Sequence, residues 1–192
     1  IPPALEYLAQ DKRLGVSGFL LPGHVSAVIG TKPYEFIPKR YKIGCCVGGF
    51  EPLDMLEGIY LLIEQVVKKK PQVQNQYSRA VRRGGNPRAK KLISQVFKVS
   101  AASWRGLGSI PESGLELREE FLRLDARKLK DFSKDDSLLN PLDKRCRCAD
   151  VIKGLIGPAQ CVLFRKVCNP QNPYWACMIS SEGSCNGYYR YC

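Results

Sequence analysis

Apolar positions along the chain alternate between helix-period stretches and short continuous runs. Ala4, Leu5 and Leu8 recur at helical spacing among good helix formers, which predicts a helix over Pro3–Lys12. Leu14–Leu21 is a continuous apolar run and reads as a buried strand; Pro22-Gly23-His24 ends it, and a second apolar stretch, Val25–Ile29, follows. Ile43–Gly48 is another continuous run, a second buried strand, closed by Gly48-Gly49. From Pro52 to Lys70 the spacing is helical again. Pro52 suits the first helical position, and Lys68, Lys69 and Lys70 suit the negative end of the helix dipole. Leu53, Leu56, Ile59, Tyr60, Ile63 and Val67 form its predicted apolar face.

Strand, glycine-bearing turn, helix, strand is the βαβ grammar of a parallel sheet covered by helices. Further along, Val73–Tyr77 precedes a basic loop, Arg88–Phe97 reads as a helix and Val99–Trp104 as a strand. Trp104 to Gly108 is a turn, Leu115–Leu124 fits strand or helix equally, and Ser133–Pro141 is a polar linker. The fold class is therefore α/β, Rossmann-like, with a small loop-rich C-terminal domain. The expected division is residues 1–98 as a Rossmann-like domain, 99–140 as a connecting segment that completes a second α/β domain, and 141–192 as a cysteine-rich domain.

Composition narrows the class. Of 192 residues 44% are apolar and 25% charged, which excludes a wholly disordered chain. No apolar run is long enough to predict a membrane span. The start, Ile1-Pro2-Pro3, shows neither a Met nor a signal segment, so the chain reads as a cytoplasmic fragment. Thirty Lys and Arg against 18 Asp and Glu leave a net charge of +12. Arg79, Arg82, Arg83, Arg88, Lys90 and Lys91 concentrate part of that excess. Without a nucleic-acid motif or interleaved aromatics they read as a solvated or partner-docking face.

Nine cysteines change the picture through their distribution. Cys45 and Cys46 are adjacent inside an apolar strand, where successive side chains point to opposite faces, and read as small buried hydrophobes. The other seven lie at Cys146, Cys148, Cys161, Cys168, Cys177, Cys185 and Cys192. No C-x2-C pair and no ferredoxin run occurs among them, so spacing alone leaves an iron–sulfur cluster, zinc and disulfides open. His24, the single His, ends a predicted strand, where ligands gather in parallel sheets; a backbone-bonded loop imidazole is the plainer reading. Glu51 and Asp54 open the long helix; support of its dipole is the plain alternative to a role in a cleft. Gly106 and Gly108 lack the rest of a dinucleotide fingerprint, and Ser180, Ser181 and Glu182 lack a nearby His for a hydrolase.

Several segments, in order along the whole chain, resemble the HypD family of [NiFe] hydrogenase maturation factors. They are Gly18-Phe19-Leu20-Leu21-Pro22-Gly23-His24-Val25-Ser26, Gly49-Phe50-Glu51-Pro52-Leu53-Asp54 and Asn75-Gln76-Tyr77-Ser78-Arg79. Trp104-Arg105-Gly106-Leu107-Gly108, Ser113-Gly114-Leu115-Glu116-Leu117-Arg118 and the stretch from Ala176 to Cys185 complete the match. The resemblance implies two Rossmann-like domains and a small [4Fe–4S] domain. It implies a scaffold that assembles the Fe(CN)2CO group with a HypC-type chaperone and a cyanide-donating HypE-type factor. The family's C-x14-C-x6-C-x16-C motif maps onto Cys146, Cys161, Cys168 and Cys185 as cluster ligands, and Cys148 and Cys177 match its redox-active pair. His24, Glu51 and Asp54 map onto the iron cleft, with His24 as proton donor or acceptor.

The resemblance covers roughly the family's C-terminal half, and the iron-binding cysteines with their CPVC segment have no counterpart in these residues. Leu21 stands where many members have Cys, Ala149 where they have Gly, and Tyr174-Trp175 replaces a smaller pair. Two other functions compete with the scaffold: a cluster-dependent thiol–disulfide oxidoreductase and a zinc-dependent nucleic-acid-binding module.

Overall fold

The computed structural model describes residues 1–104, 107–126 and 145–192. The chain divides into two compact units. The first holds Ile1–Lys12 and Val16–Val99, the second Arg13–Gly15 and Ser100–Cys192. The expected linker Ser133–Pro141 lies outside the described residues. No helix among the described residues is long and apolar enough to cross a membrane.

The first unit is a three-stranded parallel sheet in the order β1 (Gly18–Pro22), β2 (Gly44–Gly48), β3 (Val73–Asn75). Gly18 pairs with Gly44 and Cys45 with Val73, so all three strands end at one edge. β2 is central and wholly buried, as its continuous apolar run requires. Pro22 sits at the end of an edge strand, where its missing N–H is tolerated. The strand begins at Gly18 rather than Leu14. In the second unit, the Gly15 N–H donates to the Lys153 carbonyl at 2.8 Å and so is not available to a sheet ladder.

Helices α1 (Pro2–Gln10), α2 (Gly23–Ile29) and α3 (Phe36–Tyr41) accompany the first strand pair. The second apolar stretch is thus helical. Leu5, Leu21, Tyr34, Ile37, Cys45, Val47 and Val81 form one core. Within it the Tyr34 and Ser26 hydroxyls hydrogen-bond at 3.2 Å, and Ser26 also donates to the Pro22 carbonyl.

Helix α4 (Pro52–Val67) connects β2 to β3. Its existence matches the spacing, but its orientation corrects the predicted face. Leu53, Leu56, Ile59, Tyr60, Ile63 and Val67 are exposed, Leu53 and Val67 at 74% each. The side turned to the sheet carries Asp54, Gly58 and Gln65. Gly58 permits the close approach, since a Cβ there would lie 2.7 Å from Leu20 Cδ1. Gln65 is buried at no polar cost: its amide donates to the Cys45 carbonyl and to Gln74 Oε1, and its oxygen accepts from the Gln72 N–H. Apolar side chains run most of the way round this helix, so periodicity could not say which side faces the sheet.

Helix α5 (Pro87–Val96) is capped by the Asn86 side chain, which accepts from the Ala89 N–H. Strands β4 (Phe97–Trp104) and β5 (Gly108–Leu117) pair in a separate two-stranded sheet. The ambiguous stretch Leu115–Leu124 is both: strand to Leu117, then a 3-10 turn over Glu119–Leu124. Beyond residue 144 come three short helices, α6 (Cys148–Ile152), α7 (Ala176–Ile179) and α8 (Ser184–Tyr191), with long irregular connections. Their core consists of Val151, Leu163, Phe164, Met178 and four cysteines, Cys148, Cys168, Cys177 and Cys185.

Candidate functional site

The three parallel strands deliver their carboxyl ends to one edge of the first unit, the position where open α/β sheets bind ligands. His24 lies in the first turn of α2, exposed, its ring 5.1 Å from that of Phe50. Glu51 is the N-cap of α4 and is 79% exposed at its side chain. Asp54, one turn on, is only 4% exposed.

What holds Asp54 is Arg79. Its guanidinium donates from Nη1 to Oδ1 at 2.8 Å and from Nη2 to Oδ2 at 2.6 Å, a bidentate fork. Gln76 Nε2 adds a third bond to Oδ1 at 2.8 Å. These donors, Arg79 first, hold the Asp54 carboxyl down at about 2. Arg79 also lies over the Tyr77 ring at 4.4 Å and 3.7 Å from Glu51. Gln76 completes the frame by accepting from the Gly49 N–H and donating to Glu57. Gly49 is required here, because a Cβ would fall 2.0 Å from Asp54 Oδ2.

His24, Glu51 and Asp54 therefore share one sheet edge, in different states. His24 and Glu51 face solvent; Asp54 is a fixed anion that anchors the loop after β3. Sequence reasoning missed Arg79, Gln76 and Tyr77 as parts of this edge and placed Arg79 with the basic loop. The available signal was the segment Asn75-Gln76-Tyr77-Ser78-Arg79, which directly follows a strand end.

In the second unit six cysteines converge. Cys146, Cys148, Cys161, Cys168, Cys177 and Cys185 line one small cavity of about 20 Å³, closed by Val151, Phe164, Trp175 and Met178. They arrive from separate places: Cys146 ahead of α6, Cys148 within it, Cys161 after the turn Pro158–Gln160, Cys177 in α7 and Cys185 in α8. The sulfurs of Cys148 and Cys177 stand 2.8 Å apart and share a hydrogen bond, with no disulfide between them. That bond lowers the Cys148 thiol to about 7, while Cys177, flanked by Cys148 and Cys185, is pushed up and keeps its proton. Burial pushes Cys146 up to about 12 and raises Cys168 as well.

Among the described residues no carboxylate or imidazole lines this cavity. All-thiol donors in an apolar pocket match the preference of soft metals and iron–sulfur clusters. Raised thiols such as Cys146 and Cys168 need a cation's charge to release their protons. The donor set thus fits such a group chemically. In this arrangement no three His, Cys, Asp or Glu among the described residues stand at metal-holding distances. Cys45 and Cys46 are fully buried in β2, and burial pushes Cys45 up to about 12. Cys192 is exposed.

Comparison with known proteins agrees in direction with the sequence. The family described as "HypD: Hydrogenase formation hypA family" matches residues 1–192. Hydrogenase maturation factor HypD2 of Bradyrhizobium diazoefficiens is 40% identical over 200 residues, covering 99% of this chain and 51% of its own length. HypD of Escherichia coli strain K12 is 42% identical over 190 residues, 98% of this chain and 50% of its own length. HypD of Cupriavidus necator is 41% identical over 177 residues, 92% and 46% respectively. The chain spans about half the length of the curated relatives it matches.

Proposed function

The chain belongs to the HypD family of hydrogenase maturation factors, and on that premise we propose that it supplies the iron–sulfur part of a metallocentre-assembly scaffold. The observation that carries the reading is the convergence of six cysteines on one apolar cavity. Cys146, Cys161, Cys168 and Cys185 would hold a [4Fe–4S] cluster, which supplies single electrons when bound. Cys148 and Cys177 act as the exchange pair. With a partner disulfide as oxidant, one thiolate of the pair attacks a sulfur of that disulfide and releases one partner thiol; the second, 2.8 Å away, then displaces the other partner thiol and closes Cys148–Cys177.

At the sheet edge His24 and Glu51 present an exposed imidazole and carboxylate to the cargo, the Fe(CN)2CO group under assembly. Asp54 holds Arg79 and the loop in register and moves no proton near neutral pH. The family-length scaffold works with a HypC-type chaperone and a cyanide-donating HypE-type factor in the cytoplasm. Its role is assembly with redox exchange rather than turnover of a small substrate.

Anaerobic reconstitution tests this. Wild type is expected to take up about four iron and about four sulfide per chain and to absorb broadly in the visible blue. Cys161→Ser abolishes that absorption and Cys45→Ser keeps it. Stoichiometric zinc without the absorption overturns the reading. The 2.8 Å thiol pair also favours a second reading, a cluster-dependent thiol–disulfide oxidoreductase. Reduction of a generic protein disulfide by the reconstituted chain with added reductant, lost in Cys148→Ser, distinguishes it.

A further inference from the structure

The opposite edge of the same sheet carries a feature that the scaffold role does not use. At the amino-terminal ends of β2 and β3 lies a groove of about 760 Å³, continuous through Lys42, Lys69 and Pro71 with a second of about 450 Å³. Both are of the size that ligand sites occupy, roughly 300–1,000 Å³. Among the described residues, the first is lined by Lys39, Lys42, Lys69 and Arg83 against a single carboxylate, Glu35, and no acidic residue lines the second. Glu35 is taken by Arg83 at 2.8 Å and Lys39 at 3.7 Å. Among the described residues no carboxylate pairs with Lys42 or Lys69.

The backbone marks the same two lysines. Lys42 ends α3 with φ 59° and Lys69 follows α4 with φ 51°, both in the left-handed region. At the end of α4 the Lys69 N–H donates to the Val66 carbonyl and the Lys70 N–H to that of Gln65, the Schellman arrangement in which glycine is the usual left-handed residue. A lysine there adds Cβ strain, and it does so twice beside one groove. The Lys42 ammonium donates to the Lys39 carbonyl, which keeps it over the groove.

We propose that this groove is a docking site for an acidic segment of a partner polypeptide, with Lys42 and Lys69 as its principal contacts. The floor favours a peptide over a nucleic acid. Pro71 and Val73, both half-buried, offer apolar contact to side chains, and among the described residues no aromatic ring lines the groove on which a base could stack. Point-charge ammonium groups beside apolar patches suit scattered carboxylates.

The test uses the full chain and a fluorescent oligo-glutamate peptide, with single-stranded DNA of equal charge as comparison. The peptide is expected to bind, and binding weakens as salt is raised. The double variant Lys42→Gly/Lys69→Gly is expected to hold or raise the melting temperature, since glycine suits both backbone positions, and to lose at least about tenfold in affinity. If that variant unfolds, Lys42→Asn/Lys69→Asn decides, because asparagine also tolerates the left-handed region without charge. Unchanged peptide binding in a folded double variant overturns the proposal. So does tighter binding of the DNA than of the peptide, or no peptide binding by the wild type at low salt.

Discussion

Asp54 illustrates how one residue can be located by sequence while its partner is not. Its place in the first turn of a helix after a glycine pair was legible, and both dipole support and a cleft were reasonable. Its partner was not, because Arg79 is 25 residues away and only the βαβ closure brings it to 2.6 Å. The pairing has a pH consequence. The carboxyl sits near 2 when folded against an ordinary value of 3.8, so its contribution is complete above about 4 and is lost as pH falls through about 2. Asp54→Asn is therefore expected to lower the melting temperature by a few degrees at pH 7. That difference should close on acidification, as thermal melts from pH 7 down to 2 would record. Gly49→Ala should act in the same direction, since the added methyl occupies the position of the Asp54 carboxylate.

At the scale of elements, the short apolar runs and the long helix were readable because each has a period that a strand or helix must satisfy. The strand at Ile43–Gly48 and the helix from Pro52 emerged nearly as expected. The buried side of α4 did not, since a helix with apolar groups on most of its circumference has no single period to read. Burial was decided instead by Gly58, the one position without a side chain, and by Gln65, whose three hydrogen bonds let a polar group enter. Equilibrium denaturation should show this. Ile63→Gln, on the exposed side, is expected to change stability by no more than about 0.5 kcal/mol. Leu21→Ala, in the core, should cost about 2–5 kcal/mol. An Ile63 effect as large as that of Leu21 would return the predicted face to the sheet.

At the scale of the whole molecule, the described residues of the two units form cores of different chemistry. The first unit buries leucine, isoleucine, valine and tyrosine with a single cysteine, Cys45, in its core cluster; the second places four cysteines among its eight core residues. Loading of the proposed cluster is therefore expected to raise the melting transition of the second unit while leaving that of the first in place, a pattern that calorimetry before and after chelation would resolve. The ordered family segments were sufficient to identify the family, and that resemblance, not the cysteine spacing, nominated four ligands and an exchange pair. The positions of hydrophobic runs were sufficient for a parallel α/β sheet. Neither could choose the inward face of α4, join Arg79 to Asp54, or set two strained lysines beside one groove. These depend on residues distant in sequence meeting in space. Local periodicity records what each segment must bury, and only the folded chain determines what it meets.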